Sequence, residues 1–153
     1  MRANIPIDKL PSQELLEDWA WLVRKPYTVI AMNNFGDLFL KGGDGKVDFL
    51  QLETGEIVPI AESVEDFQKM VTDRKKQREL FATELLSELE TAGMALGEGQ
   101  CFALKKPLVL GGKIERENIE IVSIVVHVSM MGQIHEQVRN LPSGQKISNI
   151  KIG

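Results

Sequence analysis

The chain has 153 residues, 43% of them hydrophobic and 26% charged, and carries a formal net charge of −4. That length fits one domain, residues 1–153, with a core of its own, and the composition is too apolar for a disordered chain. The negative balance disfavours a broad phosphate-binding surface, so no direct nucleic-acid contact is expected and a basic protein is the better-matched partner.

Residues 1–11 read as a short leader. They have no continuous apolar core and carry Asp8 and Lys9 early, unlike a signal peptide. No apolar run reaches the roughly 18 residues of a membrane helix. The single cysteine, Cys101, permits no disulfide within the chain and suits a reducing compartment. A cytoplasmic location follows as an expectation, with no membrane contact.

The first helix is predicted from Ser12, as N-cap, to about Val23. Leu15, Trp19, Leu22 and Val23 share one face, and Pro26 ends it. Tyr27–Met32 reads as a strand and Asn33-Asn34 as a turn. Further strands are predicted around Leu38 and Leu40, over Val47–Leu52 and over Ile57–Ile60. Their tight connections predict an antiparallel meander, because parallel strands need long crossovers.

Ser63 with Asp66 resembles a capping box, and helix is predicted on to Ala92 with a break near Thr72 and a C-cap at Gly93. Gly97–Gly112 reads as loop with a short apolar piece at Cys101–Leu104. Ile119–Val128 reads as a buried strand. Ser129 is placed as the cap of a helix from Met130 to Leu141, which Pro142 closes, and Gln145–Ile152 as a terminal edge strand. The fold class is therefore α+β with a mainly antiparallel sheet.

No catalytic centre is spelled out. Gly42-Gly43-Asp44-Gly45-Lys46 lacks the earlier glycine and the Ser or Thr of a phosphate loop, and it leads into a strand, so a hairpin turn is the better reading. Gly97 and Gly99 lack the third glycine of a dinucleotide fingerprint. His127 and His135 are too few for a zinc site, and the expectation is one packed and one surface histidine. Cys101 has no recognisable Cys–His signature and reads as a small buried hydrophobe. The basic run Arg74, Lys75, Lys76, Arg78 is diluted by Glu79, Glu84 and Glu88 and reads as a solvated helix face. The pairs Glu84/Glu88 and Glu115/Glu117 show no sign of split environments, so neither takes an acid–base role.

Several short segments fall in a familiar order. They are Asn34-Phe35-Gly36-Asp37-Leu38-Phe39-Leu40, then Gly45 and Val47, Leu52 and Gly55, Gly97, Gly99-Gln100-Cys101-Phe102 and Pro107. Leu110-Gly111-Gly112 and Gly132-Gln133-Ile134-His135 complete the series. From about Trp19 to Leu141 this order resembles the C-terminal domain of immunity proteins that protect bacteria from type VI secretion DNase effectors, within the wider SMI/KNR-like immunity superfamily. The resemblance implies a compact α+β domain that binds a cognate, basic, secreted toxin and occludes it. It implies no enzyme activity and no cofactor or metal. The chain's acidic balance suits such a partner. The proposed contact is the charged loop Lys113–Glu120, with Glu115, Glu117 and Glu120; ordinary solvated loop charge is the competing reading. A non-toxin interaction or small-ligand-sensing module of the same fold stays open, as does an enzyme in which Cys101, His127 and His135 converge. Oligomeric state is not fixed by the sequence.

Overall fold

The structure, a computed structural model, describes residues 4–8, 10–141 and 152. Strands β1 (Tyr27–Met32), β2 (Leu38–Gly42), β3 (Val47–Gln51) and β4 (Glu56–Ala61) form one antiparallel meander in sequence order. Helices α2 (Val64–Met70), α3 (Arg74–Phe81) and α4 (Thr83–Thr91) follow. Strands β5 (Gln100–Leu104) and β6 (Ile119–Ser123) pair antiparallel as a second sheet, and α5 (Ile124–Arg139) runs on from β6. A short α1 (Ser12–Leu15) precedes the meander. The expected α+β class and its strand meander are borne out.

The meander is covered on both faces, which is why β2 opens on three consecutive buried apolar residues, Leu38, Phe39 and Leu40. Leu38, Leu40 and Leu50 point to one side, into a core with Trp19, Ile124, Val128 and Met131. Phe39, Val47 and Phe49 point to the other, against Phe67, Leu80 and Phe81. In β1 a bulge between Val29 and Ala31 slips the alternation. Val29 and Met32 consequently share the first core while Ile30 and Ala31 pack on the second. A third cluster sets Phe102, Leu104 and Ile119 of the small sheet against Leu86 and Leu89 of α4.

Helix signals hold best where a side chain caps the end. The Ser63 hydroxyl accepts from the Asp66 amide, as expected, and the Asp73 carboxylate accepts from the Lys75 amide. At Gly93 the Met94 and Gly93 amides donate back to the Leu89 and Glu90 carbonyls, a Schellman closure. The central helix is cut twice, near Thr72 and again at Ala82, which takes a left-handed φ of 51°.

Four expectations need correction. The first helix stops at Leu15 and passes into a single 3-10 turn, Glu17–Trp19. Here the tertiary bonds outweigh local propensity: the Trp19 and Trp21 indoles donate to the Val128 and Gly132 carbonyls of α5. Ser12 is the first helical residue, and Pro11 stands in the cap position. The predicted strand Ile119–Val128 ends at Ser123, whose hydroxyl accepts from the Val126 amide and starts α5 six residues early. A short β-branched run cannot separate strand from buried helix by pattern alone. Ser129 is therefore no cap but a helix residue, donating to Asp18.

The leader takes part in the fold: Asn4 bridges Asn33, and the Ile5 amide donates to the Met32 carbonyl. The expected strand Gln145–Ile152 and the helix stop at Pro142 lie outside the described residues, Ile152 apart.

Candidate functional site

The loop after Gly111-Gly112 is shorter than expected, because Ile119 and Glu120 belong to β6. Glu115 precedes the 3-10 turn Arg116–Asn118, Glu117 lies within it, and Glu120 stands on the strand that follows. All three are exposed. Asn118 pins the turn: its side-chain amide donates to the Lys106 and Lys113 carbonyls and its Oδ1 accepts from the Lys106 amide. Beside Glu115, Ile114 keeps 62% of its surface exposed, unusual for a large aliphatic side chain on an otherwise charged loop.

The catalytic candidates fare differently. Both histidines are buried, so the surface histidine of the sequence reading is absent. His135 packs 5.8 Å from Trp19, ring centre to ring centre, and its Nε2 bonds the Leu52 carbonyl at 2.7 Å. That carbonyl can only accept, which puts the proton on Nε2. His127 lies on α5, not at a strand end, and approaches Cys101: a Cβ added to Gly36 would stand 3.5 Å from both Cys101 Sγ and His127 Cδ2. His127 and Cys101 thus share one neighbourhood, while His135 lies across Leu52.

Proximity does not make a nucleophile. Burial, helped by the charge of Asp37, pushes the Cys101 thiol up to about 12. Burial pushes His127 down to about 4. Near neutral pH this pair is a thiol beside a neutral imidazole, the opposite of an activated thiolate. Among the described residues no group of three or more His, Cys, Asp or Glu side chains is arranged to hold a metal ion.

The sequence reading passed over a cavity of about 220 Å³ between the meander and the small sheet. Phe35, Phe49, Phe102 and Leu104 supply apolar wall. Asp37, Glu53 and His127 supply the polar part. Asp37 is fixed by the Leu52 amide at 2.8 Å and the Asn33 side-chain amide at 2.9 Å. Asn33 is itself a buried hub, donating also to the Leu80 carbonyl and accepting from the Phe35 and Asp37 amides. Glu53 accepts from the Leu108 amide. Burial pushes Asp37 up to about 6 and raises Glu53, each partly countered by its hydrogen bonds. The one available signal was Asn33 with Asp37 four residues on, the pattern of a side chain closing its own turn.

Residues 61–135 match the family described as T6SS immunity protein Tdi1, C-terminal, which is just under half of the chain. The match runs from the end of β4 into α5. It takes in the acidic turn and His127 but not the β1–β3 hairpins, Asp37 or Glu53. No curated protein matches the sequence.

Proposed function

Because residues 61–135 match this family of type VI secretion immunity proteins, we propose that the chain is an immunity protein that binds a cognate basic toxin in the cytoplasm and covers its active cleft. The family match carries this reading, and the chain's net charge of −4 agrees with it. A nuclease must present a positive cleft to phosphate, and an acidic inhibitor is drawn to that cleft by long-range attraction. The contact surface is the turn with Glu115 and Glu117 together with Glu120 at the start of β6. Ile114 beside it supplies the apolar anchor that charge alone does not provide. Inhibition is by stoichiometric occlusion, so the protein needs neither an active site nor a cofactor.

The test is co-expression with the product of the neighbouring gene, followed by affinity capture. One stoichiometric, basic, toxic partner, silenced on binding, is the expected result. A harmless neighbour that is not retained would sink the reading. The triple substitution Glu115→Lys, Glu117→Lys, Glu120→Lys is expected to slow association at least about tenfold at low salt, with a smaller effect on dissociation. Unchanged association would remove this turn from the interface while leaving the immunity reading intact.

A further inference from the structure

The cavity between the meander and the small sheet is built unlike ordinary core. Three carboxylates line it, Asp37, Glu53 and the exposed Glu79, and no Lys or Arg lies among the lining residues. Glu79 pairs with Lys76 at 3.4 Å, whereas neither Asp37 nor Glu53 forms an ion pair among the described residues. The hydrogen bonds from Leu52, Asn33 and Leu108 hold Asp37 and Glu53 in place without supplying a countercharge. His127 also forms part of the wall. It is only 3% exposed, and its Nδ1 has no hydrogen-bond partner among the described residues. A buried polar atom without a partner is costly, and buried negative charge without a cation is more so. The fold keeps both against aromatic walls in a space open to solvent beside the exposed Ile114 and Glu79.

We propose that this cavity binds a small organic cation, a protonated amine on a short apolar stem, with the ammonium at Glu53, Asp37 and His127 and the stem against Phe49 and Phe102. The volume of about 220 Å³ lies below the range of drug-sized sites, roughly 300–1,000 Å³, which selects a compact ligand. An ammonium offers three donors and no acceptor, matching a wall of carboxylates and a neutral imidazole. Binding supplies the countercharge that Asp37 and Glu53 lack, both of which burial shifts upward. The same chemistry is carried by a free amine or by a lysine side chain of a bound protein. The proposal stands independently of the toxin reading.

The experiment is thermal unfolding of the full chain titrated with n-butylammonium chloride, with sodium chloride at equal ionic strength and n-butanol as controls. The expected result is a saturable rise in midpoint with the ammonium alone. Glu53→Gln keeps the acceptor for the Leu108 amide and should weaken that binding at least about tenfold. A parallel NMR titration of the wild-type protein should move the Phe102 and His127 ring resonances, which keeps the test independent of any variant's folding. No rise beyond the controls, an undiminished rise in Glu53→Gln, or resonance changes confined to other regions would each overturn the proposal. N-acetyl-lysine methylamide separates the sources: binding equal to butylammonium assigns the site to a protein's lysine, and exclusion of the blocked lysine assigns it to a free amine.

Discussion

Gly132 shows how a single missing side chain fixes the packing of two elements. A Cβ there would stand 2.5 Å from the Asp18 carbonyl oxygen and 3.0 Å from Trp19 Nε1. Only a bare backbone lets α5 approach the Glu17–Trp19 turn closely enough for the Trp19 and Trp21 indoles to reach α5 carbonyls at 2.8 and 3.1 Å. Gly132→Ala gains about 1 kcal/mol of helix propensity, but the backbone contact must open and two indole hydrogen bonds weaken with it. The net expectation is a loss of about 1–3 kcal/mol in urea unfolding. Gly43→Ala is the control, since nothing lies within 4 Å of its would-be Cβ and its φ is not positive. It should change stability by less than about 0.5 kcal/mol. A Gly132→Ala protein as stable as wild type would refute the close-approach account. Gly132 stood out in the sequence as part of a familiar segment, yet no periodicity could say which surface it met, because Asp18 lies more than a hundred residues away in the chain.

At the scale of elements, legibility follows the range of the forces involved. The meander was readable because each strand ends in turn chemistry: Asn33-Asn34, the glycines after Lys41, and Thr54-Gly55. The Ser63 cap was readable for the same local reason. The first helix and the β6–α5 junction were not, because tertiary contacts decide them. The cavity was not, because Asp37, Glu53 and His127 come from three distant segments. Ala82 is the sharpest local case, as no sequence rule marks an alanine as a helix break. It holds φ 51° between α3 and α4, its amide still closing α3 on the Arg78 carbonyl while its own carbonyl accepts from Leu86. That conformation costs an L-residue about 1–2 kcal/mol and glycine very little. Ala82→Gly should therefore raise stability by up to about 1 kcal/mol after allowing for the freer unfolded chain. Ala82→Val, β-branched in the same conformation, should lower it by about 1–3 kcal/mol. Opposite signs in a denaturation series would confirm that the break is strained; equal losses from both would mean that the methyl group's packing matters more than its backbone.

Across the whole molecule, buried titratable groups set opposing responses to acid. His127 falls to about 4 by burial, so between a pH near 6.5 and about 4 the unfolded chain binds a proton that the folded one refuses, and His135, also lowered by burial, acts in the same direction. Their contribution to stability is lost as pH falls through that window. Asp37 rises to about 6, again by burial, so over the window from about 6 to 3.8 it keeps in the folded state a proton that the unfolded chain releases, and Glu53, raised by burial, acts in the same direction. Their burial is least costly in acid, and stability from this source grows as pH falls. The two effects offset each other where the windows overlap and leave the histidines dominant just above. Removing one side of the balance exposes the other. His127→Leu deletes the larger histidine contribution together with its unpartnered Nδ1. The variant should match or exceed wild-type stability at about pH 8, and its advantage should widen steadily as pH falls from about 6.5 to 4, then level off. Urea unfolding of both proteins at several pH values measures that difference directly. A gap that stays constant with pH would mean that His127 titrates alike in the folded and unfolded chain, and that the imidazole is far better solvated than its 3% exposure implies.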